Sequence, residues 1–270
     1  VLDTANGATY RVAPDTFNEL GASVEVIHKT PNGININDAC GSQHTEILRE
    51  KVVNSGAAIG LAFDGDGDRL IAIDEKGREI TGDQIMVICA NLLKKEGKLK
   101  NDLLVTTVMS NLGLTVACKK YGFKHHASKV GDRYVLEDMR KLGGVIGGEE
   151  AGHMIFLEHH TTGDGIIAAL QLVAAMLKEG KPLSELAKMM DIFPQKLINV
   201  DVKRKPNIDE VPKLVEAIKQ VESELGEEGR VLVRYSGTQN MCRVMVEGPT
   251  DAVTEKYCRQ IADVVKSEIG

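Results

Sequence analysis

Asp64-Gly65-Asp66-Gly67-Asp68-Arg69 stands between two apolar runs, Ala58-Ile59-Gly60-Leu61-Ala62-Phe63 before it and Leu70-Ile71-Ala72-Ile73 after it. Short apolar runs bounded by turn residues read as strands. The hexapeptide therefore caps two strands, and its three carboxylates converge on one tight turn that Gly65 and Gly67 permit. Hard oxygen ligands at this density suit magnesium or calcium rather than a soft metal, and magnesium is the ion expected on Asp64, Asp66 and Asp68. Arg69 beside them makes phosphate the natural ligand, because a guanidinium offers a fork of donors matched to phosphate oxygens.

Two other readings of the loop stand beside this one. Asp64, Asp66, Asp68, Ile71 and Glu75 fall at positions 1, 3, 5, 8 and 12 of an EF-hand calcium loop, a non-catalytic metal-binding module. Position 6 of that motif needs Gly for its sharp turn, and this chain has Arg69 there, with strands rather than helices on either side. A D-x-D after an apolar strand also fits an aspartyl nucleophile of the haloacid-dehalogenase phosphatase kind, without the downstream lysine and acidic motifs that kind requires.

Outward from the loop, strand-like runs alternate with helix-period segments, the pattern of sheets covered by crossover helices. Strands are expected over 24–28, 58–63 and 70–74 with helices near 45–53 and 83–95, then strands over 103–108 and 145–147 with helices over 112–121, 133–142 and 165–177. Phe193-Pro194 breaks the pattern; strand 196–202, helix 211–225, two strands and helix 252–269 follow. The fold class is α/β: two consecutive α/β domains with mixed sheets, residues 1–99 and 100–193, then a small α+β domain, 194–270. The first two resemble copies of one architecture.

Composition agrees. A 270-residue chain that is 43% hydrophobic but 4% aromatic, without Trp, builds aliphatic cores, as covered sheets do. A formal charge of -6 with basic and acidic residues interspersed supplies no basic face for nucleic acid. The longest apolar stretch, 165–177, is interrupted by Gln171 and falls short of the ~20 residues that span a bilayer. Five widely spaced cysteines without a C-x-x-C pair indicate neither a disulfide framework nor a zinc site, and suit the reducing cytoplasm. The chain opens on Val1-Leu2-Asp3 as though already inside a strand, so a preceding part of the protein is expected.

Three further loops carry polar chemistry. Arg234-Tyr235-Ser236-Gly237-Thr238-Gln239-Asn240 joins two strands, with Arg243 on the return strand; hydroxyls, backbone N–H groups and arginines there suit a phosphate, although an ordinary polar hairpin also fits. Gly147-Gly148-Glu149-Glu150-Ala151-Gly152-His153 places two acids and an imidazole on a turn, suited to sugar hydroxyls and proton movement or to a structural role. Lys129-Val130-Gly131-Asp132-Arg133 precedes a helix, with Asp132 a candidate N-cap and Lys129 and Arg133 open to an anion; Thr161-Thr162-Gly163-Asp164 reads as a cap first. His125-His126 and His159-His160 lack metal-ligand spacing.

In this order, D-G-D-G-D-R, K-V-G-D-R-Y-V, G-E-E-A-G-H, T-T-G-D-G and R-Y-S-G-T resemble the α-D-phosphohexomutase superfamily over the whole chain, the second and fourth resembling its glucosamine branch. The resemblance implies a four-domain enzyme, of which Val1-Leu2-Asp3-Thr4-Ala5-Asn6-Gly7-Ala8 starts the second. The first, which in the family carries the phosphorylated serine that is both nucleophile and fourth metal ligand, is expected to lie outside these residues, so this fragment is expected to be inactive alone. The implied reaction interconverts glucosamine 6-phosphate and glucosamine 1-phosphate through a bisphosphorylated sugar, toward UDP-N-acetylglucosamine; glucose or mannose phosphates are the alternative substrates. The resemblance implies catalytic roles for Arg69, His153 and Lys129 and substrate contacts from Asp132, Glu149, Ala151, Arg234, Ser236, Gly237, Thr238 and Arg243. It is compatible with a homodimer. The family usually has Ser in place of Ala151 and S-G-T-E-P where this chain reads Ser236-Gly237-Thr238-Gln239-Asn240, which touches sugar preference more than reaction class.

Overall fold

In the computed structural model, which describes residues 1–270, the two apolar runs around the carboxylate loop pair as antiparallel neighbours, with Phe63 opposite Leu70 and Ile59 opposite Asp74. The chain reaches them through β1 (Leu2–Asp3), α1 (Thr9–Glu19), β2 (Val26–Ile27) and α2 (Glu46–Ser55), and the runs are β3 (Ile59–Phe63) and β4 (Leu70–Asp74). β5 (Glu79–Ile80) completes a sheet of order β2-β1-β3-β4-β5. β2, β1 and β3 run parallel, which requires crossovers of the kind α1 and α2 provide; β4 and β5 return antiparallel.

After α3 (Gly82–Lys95) the pattern recurs: β6 (Leu103–Thr107), α4 (Leu112–Tyr121), β7 (Lys124–Ser128), α5 (Asp132–Leu142), β8 (Ile146–Gly148) and β9 (Met154–Phe156). Its sheet has order β7-β6-β8-β9, parallel across β7, β6 and β8 and antiparallel at β9. That is the wiring of β2-β1-β3-β4, so the two α/β halves are indeed one architecture used twice. α6 (Gly165–Glu179) and α7 (Leu183–Leu186) follow.

The strands are continuously apolar because both faces are covered. Leu61, Phe63, Leu70 and Ala72 join one core with α3 and α6, while Ala62 and Ile73 meet Leu48 and Val52 of α2. On the second sheet Leu104 and Ile146 face that same main core, and Leu103, Val105 and Ile155 meet Val135 and Met139 of α5. α3 is buried on nearly every side, Ile85 to Ala90 without a break, as a helix apolar all round must be. Its start is fixed by a capping box in which Thr81 Oγ1 accepts from Gln84 N and Gln84 Oε1 from Thr81 N.

The chain divides into two compact units, Val1–Ser110 with Leu114–Asp191, and Ile192–Gly270 with Asn111–Gly113. Both α/β sheets lie in the first. The second holds β10 (Gln195–Asp201), α8 (Pro212–Leu225), β11 (Arg230–Tyr235), β12 (Met241–Glu247) and α9 (Asp251–Ile269), an antiparallel sheet of order β10-β12-β11 with its own core of Val200, Leu214, Val221, Val244, Cys258 and Ile261. No helix is long and apolar enough to cross a membrane.

Glu247 is fully buried in this unit, where it accepts from Arg230 Nε at 2.5 Å, Leu112 N at 3.0 Å and Asn111 Nδ2 at 3.2 Å. Removing one partner of a buried, hydrogen-bonded ion pair leaves the other donors stranded. Glu247→Ala should therefore lower the unfolding free energy of the C-terminal unit by about 3 kcal/mol in urea titrations; an unchanged midpoint would mean the carboxylate contributes nothing.

Candidate functional site

Asp64 follows directly on β3 and is 8% exposed. Its Oδ1 accepts from Gly67 N and Arg69 N, both at 3.1 Å, so the side chain closes its own loop in the manner of an Asx turn. Asp66 is exposed and Asp68 half-exposed. One carboxylate oxygen from each of the three lies within 4.8 Å of the others. Arg69 Nε stands 3.8 Å from Asp64 Oδ2 and 4.0 Å from Asp68 Oδ1, too far for a full hydrogen bond with either.

This crowding has an electrostatic consequence. Burial pushes the Asp64 carboxyl up to about 6; the Arg69 N–H opposes that shift, and Asp68 and Asp66 add to it. Three acids held this close with Asp68 Oδ1 lacking any hydrogen-bond partner form an oxygen-rich set that a hard dication would neutralise, so the residues fit the ion expected from the sequence.

Neighbouring backbone fixes the loop from three sides. Ala8 N donates to Gly65 O at 2.7 Å, Gly165 N at the start of α6 donates to Gly67 O at 2.9 Å, and Leu70 N donates to Gly152 O at 3.0 Å. Arg69 and His153 form an isolated antiparallel bridge. The β3–β4 loop is thereby pinned to the β8–β9 loop, which is the same hairpin position in the other α/β half.

In that second loop Glu149 N donates to His153 O at 2.9 Å and Gly82 N donates to Glu150 O at 3.0 Å. His153 is 4% exposed, with Nε2 3.5 Å from Asp68 Oδ2 and Nδ1 without a hydrogen-bond partner. Glu149 Oε1 accepts from Gly131 N at 2.9 Å, drawing the 129–133 segment to the same loop. Lys129 and Asp132 are exposed there, with Lys129 Nζ 5.9 Å from the Tyr134 ring centroid; Ala151 is exposed at the tip of its turn.

The structure corrects one expected cap, bears out another and adds detail elsewhere. Asp132 is the first residue of α5 rather than its N-cap; Gly131 occupies that place and no side chain caps the helix. Asp164 does cap α6, its Oδ1 accepting from Ile166 N and Ile167 N. Glu75 does not turn back to the carboxylates as an EF-hand would need, but accepts from Ser184 N at 3.2 Å. His125, placed outside any element from sequence, lies on β7 between Thr106 Oγ1 at 2.8 Å and Thr115 Oγ1 at 3.2 Å. Gly7, Ala8 and Gly165 stand in recognisable motifs, but their part in seating the carboxylate loop had no sequence signal because they act through backbone.

The C-terminal unit presents its own polar loop. Arg234 on β11 and Arg243 on β12 are directly opposite in the antiparallel register, a like-charge pairing that destabilises a sheet. Burial, and then the charge of Arg243, lowers the Arg234 pKa. Arg243 Nε has no hydrogen-bond partner. Between them Ser236 is buried, its Oγ accepting from Gln239 N at 3.3 Å, while Gly237 and Thr238 are exposed. Lys205 straps the turn by donating to Ser236 O at 2.9 Å and Gln239 O at 2.8 Å, a role that no local motif announces across 31 residues.

Three sequence profiles of one family match this chain: phosphoglucomutase/phosphomannomutase alpha/beta/alpha domain II over 1–77, alpha/beta/alpha domain III over 81–193 and the C-terminal domain over 197–264. The phosphoglucosamine mutases of Syntrophobacter fumaroxidans and Syntrophus aciditrophicus are 76% and 66% identical over all 270 residues. That of Bacillus licheniformis is 52% identical over 269. The chain spans about 60% of the length of these relatives. Among solved structures, Aspergillus fumigatus N-acetylphosphoglucosamine mutase in complex with GlcNAc-6P and magnesium shares the fold at TM-score 0.79 and 19% identity, over 98% of this chain and 65% of that one. A Burkholderia thailandensis phosphoglucomutase/phosphomannomutase family protein does so at 0.77 and 19%, over 99% and 60%. Doubled α/β wiring with a carboxylate loop in one half and a Glu-His loop in the other defines a phosphohexomutase-type protein. The chain belongs to the phosphoglucomutase/phosphomannomutase family.

Two outcomes test the geometry of the carboxylate loop. The raised Asp64 pKa stabilises the folded metal-free chain below about pH 4, where the carboxyl is protonated in both states, and that contribution disappears as pH rises through about 6. Metal-free wild type should therefore lose up to about 3 kcal/mol between those pH values relative to Asp64→Asn, and millimolar Mg2+ should cancel the loss; a pH-independent difference in urea unfolding would refute this. A Cβ at Gly7 would stand 2.2 Å from Gly65 O. Gly7→Ala should weaken divalent-ion affinity about tenfold, as losing a supporting contact does, measured by Mn2+ binding in electron paramagnetic resonance.

Proposed function

We propose that these 270 residues are the metal-, sugar- and phosphate-handling part of a phosphoglucosamine mutase, an intramolecular phosphotransferase interconverting glucosamine 6-phosphate and glucosamine 1-phosphate. The observation that carries this reading is the bridge from Arg69 to His153, which holds the three carboxylates and the Glu149 turn as neighbours. Relatives of that name at 52 to 76% identity support the substrate class. In this reading the three divisions 1–99, 100–193 and 194–270 are the metal, sugar and phosphate modules.

Asp64, Asp66 and Asp68 would hold magnesium, and the bound ion would supply charge neutralisation to a transferring phosphoryl group, where most catalysis of this reaction class resides. Arg69 adds a guanidinium beside the same oxygens. His153, with Nε2 3.5 Å from Asp68 Oδ2, would hold or pass a proton beside the transferring group. Glu149 keeps one oxygen on Gly131 N and offers the other to sugar hydroxyls, with Lys129, Asp132 and Ala151 around it. Arg234 and Arg243, with Ser236, Gly237 and Thr238, would grip the non-reacting phosphate, whose charge relieves their mutual repulsion. The phosphorylated serine that this reaction needs would lie outside these residues, in keeping with the greater length of the relatives, and the five free, buried cysteines suit a cytoplasmic setting. Ala151 and Gln239 bear on the choice between glucosamine and other hexose phosphates.

Calorimetric titration with glucosamine 6-phosphate in Mg2+ tests the reading. Wild type should bind, and Arg234→Ala should lose at least tenfold in affinity while Mg2+ binding stays the same. Equal affinity in the variant would remove the phosphate assignment, and robust turnover by these residues alone would remove the need for a serine outside them.

A further inference from the structure

Three side chains of differing chemistry meet at the end of β1. Asp3 is fully buried, Cys40 is 1% exposed, and the His28 side chain is 23% exposed. One ligand atom from each lies within 4.8 Å of the other two. They come from segments 25 and 12 residues apart, so no spacing motif marks them.

The surroundings are built to hold these atoms. Asp3 Oδ1 accepts from Ala5 N at 2.9 Å and Oδ2 from Gly41 N at 3.0 Å, which fixes the carboxylate. The backbone oxygen of His28 accepts from Thr4 Oγ1 and Asn6 N, both at 2.7 Å, and holds the residue at φ 49°. Asn6 Nδ2 lies 3.9 Å from Cys40 Sγ. Ala5, Asn6, His28, Asn37 and Ala39 all have positive φ, a conformation that side chains resist, and all belong to the three segments around this point. Such strain gathers where a site over-determines its backbone. His28 Nδ1 lies 2.9 Å from Asp3 Oδ2 yet is not aligned as a hydrogen bond with it.

We propose that Asp3, His28 and Cys40 form a second cation site, for a borderline-soft transition ion of the Zn2+ class. Thiolate, imidazole and carboxylate together are the donor set such an ion selects, whereas the all-oxygen loop at Asp64 suits Mg2+. Three protein ligands leave a fourth position, and His28, the one partly exposed residue of the three, lies on the solvent side of the cluster. The ion would tie Asp3, His28 and Cys40 beneath the Asn6-Gly7-Ala8 turn that carries Gly65. A Cβ at the neighbouring Gly41 would lie 2.5 Å from Phe63 O, so the same packing reaches the end of β3. Filling this site would stiffen the platform under the carboxylate loop without adding a ligand to it.

Cobalt(II) is the probe, added to the metal-free chain in saturating Mg2+ so that the carboxylate loop is occupied. One equivalent should produce a thiolate-to-cobalt charge-transfer band and intense tetrahedral ligand-field absorption, and Zn2+ should displace both. Cys40→Ser, nearly isosteric, should abolish the charge-transfer band, and His28→Gln should weaken Co2+ affinity at least tenfold. Absence of the band at one equivalent, or its persistence in Cys40→Ser, overturns the proposal. If Cys40→Ser fails to fold, His28→Gln decides: unchanged Co2+ affinity overturns it.

Discussion

Leu70 N donates to Gly152 O, and beside that hydrogen bond Arg69 and His153 bridge two loops that belong to different sheets. The contact demands that Gly152 hold φ 97°, and a Cβ there would fall 2.3 Å from Leu70 O. Backbone, rather than long side chains, therefore sets the distance between the carboxylate loop and the Glu-His loop. That choice has energetic sense. Side-chain bridges lose rotamer entropy and shift with solvent, whereas a backbone bridge between rigid hairpins positions a site to the tolerance that catalysis requires.

What the bridge brings together is unfavourable in isolation. Burial, and then the nearby Asp68 and Asp66, raise the Asp64 pKa, and Arg69 reaches Asp64 and Asp68 only at ion-pair range. On the other unit two arginines face each other across a strand pair. Both arrangements cost stability in the bare chain, and a ligand of opposite charge would offset each cost. Sites that contradict local stability rules in this complementary way are expected where binding is the purpose. The buried sheets on which they sit supply the difference, since each large aliphatic side chain removed from water contributes about 1.5 to 3 kcal/mol.

Much of this was legible in the sequence because the deciding signals are local. β3 and β4 are continuous apolar runs, and the structure shows why: Leu61 and Phe63 fill one face while Ala62 fills the other. The helices α3, α6, α8 and α9 follow amphipathic or buried patterns within a few residues of their expected ends. β7 was not legible, because Lys124-His125-His126-Ala127-Ser128 is a partly exposed edge strand with histidines held by threonines and an aspartate instead of apolar alternation. α1 was missed as well; Pro14 inside it is a residue that ordinarily ends helices. The supports of the carboxylate loop, Ala8 N, Gly165 N and Gly152 O, are backbone atoms, and Asp3, His28 and Cys40 are joined only by folding. Although Ala8, Gly152 and Gly165 fall in recognisable motifs, neither set of contacts leaves a pattern that a single sequence can display.

The position of the polar loops described in the first unit follows from one topological rule. In sheets with parallel strands, crossover helices occupy the faces and ligands gather beyond the carboxyl ends of the strands. Here Thr4 to Ala8 follows β1, His28 follows β2, and Asp64 to Arg69 follows β3; in the second half Lys129 to Gly131 follows β7 and Glu149 to His153 follows β8. Because the two halves share their wiring, the loop after the third strand in each is equivalent, and the Arg69–His153 bridge joins equivalent points. Duplication thus allows the two loops to specialise: one keeps acids and the other keeps a glutamate and an imidazole, while the pairing that aligns them stays in the backbone. It also explains why Asp3, His28 and Cys40 gather at the same end as the carboxylate loop. Two of the three leave the carboxyl ends of adjacent parallel strands, and Cys40 reaches them on the turn that leads into α2. A cation held there would bear on Gly65 through the two residues that separate Asn6 from Gly65 O along the hydrogen-bonded path, Gly7 and Ala8.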